Sequence, residues 1–154
     1  MADTPPFEDI RTQFIEKIGL ITQTEGLPRI AGRVFGMLIF DGDAVSFGDF
    51  ARSLQVSRGS ISSSIRLLEE RGLVKRTAKP GDRQDYFQLA SDPYVSMLQG
   101  VQKRTQSTKA EIADTIDALP DGAAAAERLK HYADFYASLD TAIGTAITEL
   151  KKPA

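Results

Sequence analysis

The 154-residue chain contains no cysteine, which removes disulfides, thiolate metal sites, iron–sulfur clusters and cysteine redox sensing together. Histidine occurs once, at His131, so an imidazole-built zinc or iron site and a histidine-based triad are both disfavoured. Long apolar runs are missing too. The longest, Val34–Phe40, is interrupted by Gly36 and is far too short to cross a bilayer. The opening Met1–Glu8 is acidic and proline-rich, unlike a secretory signal. No phosphate-binding loop, dinucleotide fingerprint or nucleophile elbow occurs, and paired acids such as Glu69–Glu70 suit a helix surface better than catalysis. These absences predict a soluble, cytoplasmic protein that is not an enzyme and needs no cofactor, metal or membrane.

What is present is ordinary in amount and uneven in placement. Hydrophobic residues at 42% and charged residues at 26% fit a globular chain, long enough for one domain or a small domain with an oligomerisation element. The formal net charge is only −2. Between Arg52 and Arg83, however, eight basic residues face three acidic ones, a net of +5 against −7 elsewhere. A basic island in an acidic protein predicts a local polyanion-binding surface.

Periodicity divides the chain. Thr4 and Pro5 predict a helix start, and Phe7, Ile10, Phe14, Ile18 and Ile21 form its apolar stripe. A second helix begins at Pro28 and runs to about Phe40. It carries Gly32 and Gly36 one turn apart, at about 1 kcal/mol each against alanine, which predicts another backbone packed closely there. Ala44–Val45 reads as a very short strand. Ser46 caps a third helix to about Leu54, with Asp49 near capping-box spacing. Ser57 caps a fourth that ends at Gly72. Two short helices joined by a brief link form a helix-turn-helix pattern. Leu73–Thr77 and Tyr86–Leu89 are strand-like and flank the turn-forming Lys79-Pro80-Gly81-Asp82-Arg83, which predicts a hairpin. The fold expected is mainly α: a winged helix-turn-helix over 27–92 with a small β-hairpin wing.

From Asp92-Pro93 a long helix carries Tyr94, Leu98, Val101, Thr105, Thr108, Ile112, Ile116 and Leu119 until the break at Leu119-Pro120-Asp121-Gly122. A last helix repeats the pattern with Leu129, Tyr132, Tyr136, Leu139, Ile143, Ile147 and Leu150. Helices of this length lack a core of their own within one chain. Residues 4–26 and 93–151 are therefore expected to form a dimerisation region, with a monomeric helical hairpin as the alternative.

The stretch Gly26–Leu38 (GLPRIAGRVFGML) resembles the opening of the GbsR branch of MarR-type regulators. Val56–Ser62, Leu67–Val74 and Pro80–Arg83 follow in that family's order. The resemblance covers about Gly26–Leu89 and is architectural beyond it. It implies a dimeric transcriptional regulator that binds operator DNA and, in some members, answers choline-like compounds. One departure stands out: the broader group spaces the wing's Asp and Arg by one residue, whereas Asp82 and Arg83 are adjacent here. Whether Asp82 orients Arg83 is left open.

On the fourth helix, Ile61, Ile65 and Leu68 share one narrow sector and should face the core. Nearly opposite lie Gly59, Ser62, Ser63 and Arg66, with Ser57, Arg58 and Ser60 at the helix start. Serines, Ser64 among them, weaken a helix yet offer short donors to phosphates and base edges. Arg66 is placed for a major-groove base or a phosphate. Arg83 at the wing tip suits a narrow minor groove, and Lys75, Arg76 and Lys79 suit phosphates. Arg71 near the helix end complements the helix dipole. His131, Tyr132, Phe135 and Tyr136 read either as an aromatic cage for a quaternary ammonium effector or as dimer-core packing. The function expected is a homodimeric, sequence-specific DNA-binding regulator, a repressor, with a small organic effector. The alternative is a winged-helix protein-interaction or scaffold module, which would require exposed apolar residues on the fourth helix.

Overall fold

Serines, prolines and glycines set several of the element boundaries in the computed structural model, which describes residues 6–153. In chain order the elements are α1 (Phe7–Thr24), α2 (Arg29–Asp41), β1 (Val45–Ser46), α3 (Phe47–Leu54), α4 (Arg58–Glu70), β2 (Val74–Thr77), β3 (Tyr86–Leu89), α5 (Pro93–Ala118) and α6 (Ala125–Lys151). The chain divides into two compact units, Met1–Pro93 and Tyr94–Ala154. Thr4 and Pro5 lie outside the described residues, and Pro6 stands at the N-cap of α1.

In the first unit Ser46 does two things at once. It ends β1, and its hydroxyl accepts the Asp49 N–H at 3.2 Å to cap α3. The Asp49 carboxylate turns instead to Arg52, so the reciprocal half of the expected capping box is not made. Ser57 caps α4 by accepting the Ser60 N–H at 3.1 Å, and Gly72 closes it at φ +72°. Arg71 donates to the Gly26 carbonyl at 3.4 Å, tying the end of α4 to the α1–α2 turn.

The hairpin gains a third strand. The antiparallel sheet has the order β1-β3-β2, with Val45 opposite Phe87, Ser46 opposite Tyr86, and Arg76 opposite Phe87 on the other side. Sequence reading found β1 one residue early and did not foresee that it pairs with β3. Phe87 therefore sits on the central strand, and Phe47 meets it edge to face at 4.7 Å. Phe50, Phe87, Leu38, Ile61, Ile65, Leu68 and Val34 are each less than 2% exposed and form the centre of the core.

Helix α1 packs on α2 through small residues. A Cβ at Gly32 would overlap Thr22 Oγ1 and lie 3.0 Å from Gly19 Cα, while one at Gly36 would lie 3.1 Å from Ile18 Cβ. The two glycines are there for close backbone approach, as their cost in the sequence implied. The face applied to α2 is Ile15, Gly19 and Thr22, so the predicted stripe is offset: Phe7, Ile10 and Ile21 are exposed. Arg11 holds Asp41 with two hydrogen bonds of 2.8 and 2.7 Å. Arg33 links Glu16 at 2.8 Å to the Leu54 carbonyl at 3.0 Å.

In the second unit α5 and α6 run antiparallel, because Val95 clusters with Ile147 while Gln102 bonds to Asp140. Leu98, Val101, Leu139 and Ile143 complete that cluster. Asp140 accepts from Gln102 and Gln106 at 3.3 Å each and from Lys109 at 3.4 Å. Val95 is buried where the sequence had pointed to Tyr94, which is exposed. No helix among the described residues is long and apolar enough to cross a membrane.

Candidate nucleic-acid interface

Helix α4 separates its two faces as its wheel predicted. Ile61, Ile65 and Leu68 are 0%, 1% and 0% exposed. Ser57, Arg58, Gly59, Ser63 and Arg66 are exposed, and Ser60 and Ser62 are half-buried. Ser64 is the exception to the serine run. It is buried beside the isoleucines, so it belongs to the core face and leaves the candidate contact surface. The exposed positions from Ser57 to Arg66 are serine, arginine or glycine, so none presents the apolar side chain that a protein-docking module would need.

Some hydroxyl capacity is used inside the helix. Ser57 donates to Ser60 Oγ at 2.9 Å, and Ser63 donates back to the Gly59 carbonyl at 3.1 Å. Each oxygen keeps acceptor capacity. A Cβ on Gly59 would find nothing nearer than Ser57 Oγ at 3.9 Å, so the first turn is open to close approach. Arg66 extends from the exposed face with no ion pair among the described residues.

Two guanidiniums converge beside the start of α3. A Cβ on Gly48 would sit 3.0 Å from Arg58 Nη2 and 3.4 Å from Arg52 Nη1. Sequence reading counted Arg52 in the basic island without assigning it to the surface. The signal that could have found it is its one-turn spacing from Gly48, a residue small enough to admit both side chains.

On the wing, several cations have protein partners. Arg76 lies 3.3 Å from Asp85 and over the Phe87 ring at 5.5 Å. Lys75 reaches Ser91 Oγ at 3.5 Å. The Lys79 ammonium sits 4.4 Å from the centre of the Tyr86 ring. These contacts are exposed and weak enough for a phosphate to compete with them. Gly81 turns the tip at φ +76°.

Asp82 has both oxygens engaged. It accepts the Tyr86 hydroxyl at 2.5 Å and the Gln84 N–H at 2.9 Å. The Tyr86 hydrogen bond, then that from Gln84, holds the carboxyl below its usual pKa, and the same bond raises the Tyr86 phenol. Asp82 therefore does not orient Arg83, which is exposed and unpaired among the described residues.

In the second unit His131 is exposed, as are Tyr132 and Phe135. Tyr136 meets Tyr132 and Phe135 edge to face at 5.0 and 5.3 Å, and the two tyrosine hydroxyls are 3.2 Å apart. The rings fill one another's space along a single helix. They form a stack with an open apolar side, not an enclosure. A depression of about 410 Å³ in the first unit is lined by Phe7, Met37 and Phe40 with Asp41, Asp43 and Asp49, and sequence reading did not anticipate it.

Comparison with known proteins gives this geometry a context. A sequence model described as the MarR family matches residues 25–85. The chain is 30% identical over 141 residues to the HTH-type transcriptional regulator MmpR5 of Mycobacterium tuberculosis, covering 88% of this chain and 83% of that protein. It is 33% identical over 100 residues to a putative transcriptional regulatory protein for the hcr operon of Thauera aromatica, covering 61% of this chain and 58% of that one. A crystal structure of a transcriptional regulator superposes with a TM-score of 0.73 at 26% identity, covering 90% of this chain and 96% of the other.

Proposed function

Because this chain belongs to the MarR family of DNA-binding transcriptional regulators, we propose that it works as a homodimeric repressor in the cytoplasm, reading a two-fold operator with α4 and the wing. The observation that carries the reading is the exposed polar face of α4, Arg58, Gly59, Ser63 and Arg66, opposite a rib of fully buried aliphatic side chains. In each subunit α4 enters a major groove, with Ser57, Ser60, Ser62 and Ser63 at the backbone and base edges and Arg66 reading a base. Lys75, Arg76 and Lys79 hold flanking phosphates, and Arg83 reaches the adjacent minor groove. Arg52 joins Arg58 beside α3 as a further phosphate contact.

Two half-sites must lie about one turn apart, roughly 34 Å, so the dimer sets the spacing. The apolar groups left exposed on the α5–α6 unit, Tyr94, Tyr132, Phe135 and Leu150, support pairing with a second copy, as do Phe7, Ile10, Leu20 and Ile21 on α1. The order of motifs from Gly26 to Leu89, which resembles that of the GbsR branch, supports assigning the chain to that branch. On that placement a small organic effector releases the DNA, with the His131–Tyr136 stack as its contact.

The test is enrichment of duplexes from a random pool by the wild-type protein, then binding of Arg66→Ala to the enriched and scrambled duplexes. The loss expected is about 1–3 kcal/mol per half-site, concentrated on the enriched duplex. Equal affinity of wild type and variant would remove Arg66 from base readout. Sedimentation of a folded monomer at micromolar concentration would remove the dimer.

A further inference from the structure

Gly48 is a glycine that its own backbone does not call for. It lies in the first turn of α3 with a helical conformation and no positive φ, where glycine is the poorest helix former after proline. What distinguishes the position is what covers it. The residue is buried, and the place of its missing Cβ is flanked by Arg58 Nη2 at 3.0 Å and Arg52 Nη1 at 3.4 Å. Both arginines are themselves exposed, so their tips form a roof over Gly48.

The charges at that roof are not balanced. Asp49 pairs with Arg52 through Nη2, the other arm of the fork, which holds that guanidinium in place and leaves Nη1 at the Gly48 site. Arg58 has no ion-pair partner among the described residues. It is also the first residue of α4, whose opening turn has no acidic residue, so it stands at the positive end of that helix dipole. Two guanidiniums and a helix N-terminus therefore meet with one carboxylate among them, an arrangement that an added anion relieves. We propose that Arg52 and Arg58 are the two jaws of a single phosphate clamp, one from each helix of the helix-turn-helix, and that Gly48 is the positioning residue that lets them close on one group. Two N–H-bearing nitrogens within 3.4 Å of one point are spaced to share the two free oxygens of one diester phosphate. The clamp grips the DNA backbone without reading sequence and fixes how α3 and α4 sit on it.

This inference rests on the reading of the α4 face as a DNA surface, and the experiment separates the two. The probes are a duplex enriched from a random pool by the wild-type protein and a scrambled duplex, each titrated over a salt series. Arg52→Ala and Arg58→Ala should each weaken binding roughly tenfold per half-site, on both duplexes alike. Because either loss opens the clamp, the double variant should be weakened roughly twentyfold, well short of the product of the two. Its salt slope should fall by about 0.9 per subunit, the value for one phosphate. Gly48→Leu, which fills the seat with an uncharged side chain, should weaken binding as much as either arginine variant and add no loss to the double variant. A role for Gly48 in folding alone would carry its loss into that background too, and circular dichroism checks each fold. If Gly48→Leu does not fold, the arginine cycle and the slope decide alone. Losses that multiply, with a slope change of about 1.8, overturn the shared phosphate. So does wild-type affinity in Gly48→Leu or in either arginine variant, or a loss confined to the enriched duplex. Absence of any duplex binding by the wild type fails at the level beneath, since the clamp would fall together with the DNA surface.

Discussion

In residues 6–93 four helices and a three-stranded sheet surround one another, whereas the described part of the second unit consists of α5 and α6 alone. Both units carry regular apolar patterns, but the outcomes differ. The first buries seven large side chains to less than 2% exposure, all between Val34 and Phe87. In the second, the most buried side chain is Thr105 at 4%, and Ile143 and Ile147 keep 7% and 8% exposure. The difference is one of neighbours. An element of the first unit is covered from several sides within that unit, while within the second unit α5 and α6 have only each other to pack on. An apolar stripe specifies a face to be covered, not what covers it.

Substitutions can break or sharpen that contrast. The largest effect is expected from Phe50→Ala, which empties the centre of the first core and should cost about 3–5 kcal/mol in urea unfolding. A loss under about 1 kcal/mol would mean that the first unit is no better packed than the second. Ile143→Ala should cost less, about 2 kcal/mol, because its site is already partly open. In a dimer its melting temperature should also depend on protein concentration, and a concentration-independent shift equal to that of Phe50→Ala would erase the distinction.

Gly32→Ala tests how tightly α1 is applied to α2. Helix propensity alone predicts a gain of about 1 kcal/mol, yet the overlap with Thr22 Oγ1 should turn it into a net loss of about 1–2 kcal/mol. The double variant with Thr22→Ala should recover part of that loss, and a stabilised single variant would show a looser contact. Asp85→Asn removes the exposed partner of Arg76 and should change stability by no more than about 0.5 kcal/mol.

The smallest expected effect is none. Asp82 has a lowered pKa, so its contribution is present above the unfolded value of about 3.9 and is lost as pH falls through the lower folded value. Tyr86 has a raised pKa, so its contribution is present below about 10 and is lost as pH rises through the higher folded value. The stability difference between wild type and Tyr86→Phe should therefore be flat from about pH 5 to about pH 9. A slope inside that window would show that another group titrates with the Tyr86–Asp82 pair.

The N-terminal unit was the more legible of the two for the same physical reason that it is the better packed. Caps such as Ser46 and Ser57, the turn glycine Gly72 and the Ile61–Ile65–Leu68 rib act within one element, and each stands where its residue type implied. What sequence could not place depends on residues meeting across elements. Ser64 looks like its neighbours until the core side of α4 is filled. Tyr86 gives no sign of its bond to Asp82, because the register of the hairpin brings the pair together. The convergence of Arg52 and Arg58 needs the angle between α3 and α4. The offset of the α1 stripe has the same source, since the glycines of α2 choose which side of α1 fits them.

That fit also has a mechanical side. At Gly19, Gly32 and Gly36 the absence of a Cβ lets α1 and α2 approach closely, and the Arg11–Asp41 clamp pins their other end. Helix α1 is about 27 Å long at 1.5 Å per residue, so it is a stiff lever arm with α2 as its fulcrum. Along its outer side Phe7, Ile10, Leu20 and Ile21 offer a grip to whatever acts on that lever. Helix α2 packs in turn on α4, so α2 is the element through which a push on α1 would reach the α4 face.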